Sequence, residues 1–135
     1  MAYKVQTIAG MTDTAANILI SCGIKYAEQL REIVCTPEQR AEVAAETGCD
    51  EKLVLRWANH CDLMRIHGIG PQYAEFFEAA GVPTILELTK RDPEELLAKL
   101  EEVNAAKPWT KRVPALKEVK RYVKDAQALP PMIQL

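Results

Sequence analysis

Apolar residues recur every three or four positions in a series of short stretches, and most stretches are bounded by glycine or proline. Residues 12–22 carry Ala15, Ile18, Leu19 and Cys22 at helical spacing, with Thr12 placed to cap the start and Gly23 to end it. Residues 71–80 follow the same plan, opening on Pro71 at the favoured first helical position and ending at Gly81. Second, shorter helices are predicted over 25–34 and 84–90. Thr36-Pro37 and Asp92-Pro93 then each set a capping residue before a proline that opens a helix, over 37–47 and 93–103. Asp50 caps a further helix over 51–64, with Leu53, Trp57, Cys61 and Met64 as one inward face. Residues 104–113, interrupted by Pro108, read as loop. Pro114 opens a last helix running to Leu129, and Pro130-Pro131 stops it. No stretch reads as a strand, so the fold class is all-α.

The matched helices belong to a repeat. Ile8-Ala9-Gly10-Met11-Thr12-Asp13-Thr14-Ala15-Ala16 is a degenerate copy of Ile66-His67-Gly68-Ile69-Gly70-Pro71-Gln72-Tyr73-Ala74, at a constant offset of 58 residues through Leu30 and Leu88. Ile8/Ile66, Gly10/Gly68, Ala16/Ala74, Gly23/Gly81 and Leu30/Leu88 are identical. A duplicated turn and its following helix imply two copies of one supersecondary unit. In the second copy Gly68 and Gly70 supply backbone freedom and room for close approach, Ile66 and Ile69 plug the turn into the core, and Ala74 lets two helices pack closely.

This pattern of apolar-x-Gly-Ile-Gly-x-x-x-Ala resembles the helix-hairpin-helix motif, fully over residues 66–82 and in part over 8–24. With Cys49-Asp50, Leu63-Met64-Arg65, Ala79-Ala80-Gly81-Val82, Glu102-Val103-Asn104 and the closing Pro114 helix, nearly the whole chain resembles an uncharacterised DUF family of short tandem helix-hairpin-helix proteins. The resemblance implies a tandem helix-hairpin-helix (SAM-like) domain with a pseudo-twofold repeat and a C-terminal helix. The expected division of a single domain, 1–135, is a first repeat over 1–48, a connecting helix over 49–65, a second repeat over 66–106, and a basic helix with an apolar tail over 107–135.

Composition adds little, and charge adds more. The 135 residues are 48% hydrophobic and 27% charged, ordinary for a globular domain with its own core. No stretch is long and apolar enough for a membrane span, and the start lacks a signal peptide's apolar core, so the expected location is cytoplasmic. Net charge is −2, unevenly spread: residues 1–106 carry 10 basic and 17 acidic side chains, residues 107–135 carry 7 and 2. Lys117, Lys120, Arg121 and Lys124 form a basic stripe on the last helix, opposite an apolar stripe of Leu116, Val119, Val123 and Ala126. Lys107, Lys111 and Arg112 lie just upstream.

Hairpins of this kind that bind DNA offer helix N-terminal N–H groups to a phosphate, with lysine or arginine nearby. Here Pro71 has no N–H to give, Gln72 and Tyr73 follow it, and in the first copy Thr12 and Asp13 replace the second glycine and its neighbour. The expectation that follows is a non-catalytic module that binds an unidentified protein partner or serves assembly. The alternative is sequence-independent binding of double-stranded DNA through the hairpin residues Gly10, Met11, Gly68, Ile69, Gly70 and Gln72 together with the basic stripe. Lys111, Arg112, Trp109, Ile133 and Leu135 are further candidate partner contacts, Trp109 being expected either to cover the edge of the core or to anchor a partner.

No catalytic constellation, phosphate loop or cofactor motif is present in the sequence. Cys22, Cys35, Cys49 and Cys61 contain no C-x-x-C pair and are expected to be reduced and mostly buried. Cys49, His60, Cys61 and His67 match no usual zinc spacing, so no metal is expected. Trp57 is expected in the core. Of the adjacent Phe76 and Phe77, one is expected near the surface. The tail Pro130-Pro131-Met132-Ile133-Gln134-Leu135 is free of charge and can dock, fray or enter a partner.

Overall fold

The computed structural model describes residues 2–135. Among them the chain is all-helical: a 3-10 turn at Val5–Thr7 precedes α1 (Asp13–Ser21), α2 (Ala27–Glu32), α3 (Pro37–Thr47), α4 (Glu51–Leu63), α5 (Pro71–Ala79), α6 (Ile85–Thr89), α7 (Pro93–Ala106) and α8 (Leu116–Ala128). The only extended pairing among these residues is a lone antiparallel bridge between Lys4 and Tyr26. The chain divides into two compact units. The first holds residues up to Asp62 together with Met132–Leu135, and the second is Leu63–Pro131.

The sequence repeat is written into backbone hydrogen bonds. Met11 N donates to Ile8 O (3.0 Å) and Ala16 N to Thr12 O (2.9 Å); at the same offset Ile69 N donates to Ile66 O (3.1 Å) and Ala74 N to Gly70 O (2.9 Å). Both first helices end alike. Gly23 and Gly81 turn left-handed, at φ +86° and +87°. Ile24 N reaches back to Leu19 O, and Val82 N to Phe77 O, each at 2.9 Å. This six-residue closure satisfies carbonyls that the helix end would otherwise leave bare. Further along, Thr36 caps α3 by accepting from Gln39 N (3.1 Å) and Asp92 caps α7 by accepting from Glu95 N (3.1 Å). Pro37 and Pro93 open those helices.

The two turns differ in what their glycines do. Gly10 and Gly68 lie at φ +80° and +94°, where a side chain is strained. Gly70 lies at φ −97°, so the expectation that it supplies special backbone freedom is corrected. It is the N-cap of α5, matching Thr12 at the start of α1. Thr12 uses its hydroxyl to accept from Ala15 N (3.1 Å), whereas Gly70 has none, so α5 begins without a side-chain cap.

In the first unit Val5, Ile8, Ala15, Leu19, Leu30, Val34 and Trp57 are buried. The Gly10 turn lies against α4: a Cβ there would come within 2.8 Å of Leu53 Cδ1 and 3.1 Å of Arg56 Nη1. Buried Arg40 is satisfied by main-chain carbonyls, donating to Val34 O (3.0 Å), Cys35 O (3.1 Å) and Gln134 O. The tail thus docks on this unit. Gln134 N donates to Cys35 O (2.8 Å), Met132 N to the Asp62 carboxylate (3.4 Å), and Ile133 is buried.

In the second unit α8 packs on α6 and α7, with Val119, Tyr122, Val123 and Ala126 inward. Leu116, expected in that stripe, is only half-buried, and Tyr122 takes the larger share. Phe76 and Phe77 are both fully buried, which corrects the expectation that one is near the surface. They point in different directions, and each has its own cover: Phe76 stacks on Trp109 (6.4 Å between ring centres) and Phe77 meets Tyr122 edge-on (5.8 Å). The helix expected over 93–103 continues to Ala106. Of the cysteines only Cys61 is buried; Cys22 is exposed, and Cys35 and Cys49 are half-buried.

Candidate functional site

The sequence-predicted site residues divide between the units. Gly10, Met11, Ile133 and Leu135 belong to the first. Gly68, Ile69, Gly70, Gln72, Trp109, Lys111, Arg112 and the basic stripe belong to the second, where the structure draws many of them together.

The start of α5 organises that gathering. Gln72 donates its side-chain N–H to Trp109 O, and the Tyr73 hydroxyl donates to Arg112 O (3.3 Å). Asn104, at the end of α7, clamps the same segment from the other side. Its side-chain oxygen accepts from Trp109 N (2.7 Å) and Thr110 N (3.1 Å), and its amide donates to Thr110 O (3.2 Å). The loop 107–115 is therefore pinned by three side chains. Trp109 is held between the Phe76 ring and the Lys107 ammonium, which lies 4.5 Å from the indole centre. Trp109 is half-buried at the edge of the second unit's packing, and Ile133 is buried against its own chain. Both were candidate partner contacts; Ile133 is engaged internally, and Trp109 in part. Leu135 is 79% exposed, beside a shallow pocket of about 220 Å3 lined by Pro37, Arg40, Glu51, Lys52 and Leu55.

α8 meets the second turn at Arg121 and Tyr122. A Cβ added at Gly68 would lie 3.1 Å from Arg121 Nη2, 3.1 Å from the Tyr122 hydroxyl oxygen and 3.2 Å from Tyr122 Cε1. Arg121 also lies over the Tyr122 ring (4.9 Å) and pairs with Asp125 (3.1 Å). Lys117 and Lys124 stand one helical turn to either side of it, and Lys120 precedes it. These three lysines are exposed and, with Lys111, have no ion pair among the described residues. Arg112 makes a long pair with Glu118 (4.0 Å) at an open pocket of about 300 Å3, which Tyr73, Thr110, Lys111, Val113 and Pro114 also line.

Counted by unit, the second carries 11 basic and 10 acidic side chains and the first 6 and 9. The second unit's net charge is small because α7 is acidic; its positive charge is concentrated on 107–124. Burial, followed by the Glu118 and Tyr73 charges, pushes the Tyr122 hydroxyl above its ordinary pKa, and Arg121 opposes this. Tyr122 stays neutral at physiological pH and keeps its proton.

In the first unit, Cys61 is the strongly perturbed thiol. Burial pushes its pKa up from 9.0 to about 12, with Arg31 lowering it and Asp62 raising it. Such a thiol is inert as a nucleophile at neutral pH. Among the described residues no three His, Cys, Asp or Glu side chains cluster as metal ligands, and Cys49, His60, Cys61 and His67 form no such group. No helix among them is long and apolar enough to cross a membrane.

Residues 9–129 match the family described as Domain of unknown function (DUF4332), and the chain belongs to that family. No curated protein and no solved structure matches it.

Sequence reasoning missed the clamp. Asn104 was legible only as part of the Glu102-Val103-Asn104 segment of the resemblance, with nothing to say that its side chain turns toward the loop from within the last turn of α7. Tyr122 was recoverable, because it lies three residues after Val119 on the apolar side of α8.

Proposed function

We propose that this chain is a non-catalytic module that docks on the phosphate backbone of double-stranded DNA, without reading its sequence, through the second unit. In this reading Ile66 to Gly70 is the turn of a helix-hairpin-helix motif entered from α4 and left by α5. Ile8 to Thr12 is its degenerate copy, and the two make a tandem arrangement. The copy is entered from one 3-10 turn, Val5–Thr7, rather than a full helix, and its α1 starts on a Thr12 cap followed by Asp13. It suits scaffolding, and the second turn suits contact.

The observation that carries the proposal is the approach of Arg121 to the Gly68 turn. Through Arg121 the middle of the basic stripe lies beside the turn that leads into α5, whose first turn has no side-chain cap. The N–H groups of Gln72 and Tyr73 and the positive end of the helix favour a phosphate oxygen there. Lys117, Lys120 and Lys124 supply charge that binds neighbouring phosphates and releases condensed counterions. A protein partner was the first expectation from sequence. Of its candidate contacts, Ile133 is buried and Trp109 half-buried within the chain, while Leu135 is exposed.

A fluorescence anisotropy titration with a mixed-sequence duplex at low and moderate salt tests the proposal. Binding should weaken steeply with salt, and Lys117→Glu with Lys120→Glu should abolish it. Lys25→Glu with Lys52→Glu, in the first unit, should leave most of it. Salt-independent binding, equal loss from both pairs, or capture of poly-glutamate in place of DNA would reject it.

A further inference from the structure

We propose that the groove on the first unit that holds Met132–Leu135 is a peptide-docking site, filled by the chain's own tail in one copy and able to take the tail of a second copy. This stands apart from the DNA reading, because it rests on residues of the first unit.

The segment is held through its main chain, with one bond to a backbone carbonyl and two to side chains, and by one buried side chain. Gln134 N donates to Cys35 O (2.8 Å), Gln134 O accepts from Arg40, and Met132 N donates to the Asp62 carboxylate (3.4 Å). Ile133 is 9% exposed, between half-buried Met132 and exposed Gln134, while Leu135 is 79% exposed, so Ile133 is the one side chain the groove takes in. Arg40 is 5% exposed, and all its hydrogen bonds given by the structure go to carbonyl oxygens, those of Val34, Cys35 and Gln134. Withdrawal of the tail leaves that buried guanidinium short of one acceptor, so the groove favours being filled.

Four features make the occupant exchangeable. The tail buries one aliphatic side chain against the cost of ordering four residues. It follows Pro130-Pro131, which cannot continue α8 and hold the chain extended. Pro130 O is held separately, by Arg65 (2.9 Å) in the second unit, so release of Met132–Leu135 leaves α8 in place. A second copy offers the identical segment, so the hydrogen bonds and the Ile133 burial that one chain gives up are remade between the two chains of the pair. This is the logic of a swapped terminal segment.

Two measurements on the full chain test this. Sedimentation equilibrium should show a dimer that grows with concentration toward the millimolar range, where a second tail rivals a tethered one. Ile133→Asp and, at an exposed position, Gln134→Pro should both remain monomeric. A fluorescent peptide of residues 129–135 should bind the Ile133→Asp chain at least about tenfold more tightly than the wild-type chain, whose own tail competes. If Ile133→Asp is unfolded by circular dichroism, the Gln134→Pro chain serves as the open form. A wild-type monomer at all concentrations, or a peptide that ignores the folded open form, would overturn the proposal.

Discussion

Replacing Gly68 by alanine tests whether α8 presses on the second turn. The cost has two parts. The left-handed backbone at φ +94° penalises any L side chain by about 1–2 kcal/mol. The new methyl also lies 3.1 Å from Arg121 Nη2, which can swing away, and 3.1 and 3.2 Å from Tyr122 Oη and Cε1. Tyr122 is 2% exposed and braced edge-on by Phe77, so its ring must shift within a packed core. Overpacking of this kind costs about 1–2 kcal/mol more. Gly48→Ala is the control: its φ is +71° and a Cβ there meets nothing within 4 Å, so only the backbone part applies. At this chain length each kcal/mol lowers Tm by about 3–5 °C. Gly68→Ala should therefore reduce Tm about twice as far as Gly48→Ala in a thermal melt followed by circular dichroism. Adding Tyr122→Phe to Gly68→Ala removes the hydroxyl in the way, and the double variant should cost about 0.5–1 kcal/mol less than the sum of the singles. Equal Tm losses for the two glycines, with strict additivity in the double variant, would refute the close approach of α8.

Other expectations follow from the same geometry. Asn104→Ala removes three hydrogen bonds from the 107–115 loop and should cost about 2–3 kcal/mol in urea unfolding. The same variant should speed amide exchange at Trp109 and Thr110, and unchanged exchange would show the clamp to be idle. Cys61 should resist a thiol reagent at pH 8 in the folded chain while exposed Cys22 reacts at once. Because its folded pKa is raised from 9.0 to about 12, its contribution to stability is whole below pH 9 and is lost as pH rises from 9 to 12. Cys61→Ala should flatten the stability–pH curve in that window, and an unaltered curve would contradict the burial argument.

The parts of the fold readable in sequence are those set by local chemistry. Gly23 and Gly81 end their helices, Thr36-Pro37 and Asp92-Pro93 begin theirs, and the offset of 58 residues returns as matched hydrogen bonds because each turn is closed within a few residues. What failed depends on distant partners. Phe76 is covered by Trp109 of the 107–115 loop and Phe77 by Tyr122 of α8, and Gln72, Tyr73 and Asn104 hold that loop from outside it. Gly70 looked like a second permissive glycine, yet a short motif does not say which of two glycines takes the left-handed turn. The basic stripe was legible as a helical period. Its nearness to Gly68 was not, since that approach joins residues 53 positions apart.

The salt dependence of duplex binding tests the central claim most directly. If Lys117, Lys120, Arg121 and Lys124 each neutralise one phosphate, the logarithm of affinity should fall with the logarithm of salt at a slope of about −3.6. Changing Lys117, Lys120 and Lys124 together to Gln should reduce the slope to about −1, with the helical spectrum preserved. A wild-type slope near zero, or one that the three substitutions leave unchanged, would contradict a backbone-binding second unit.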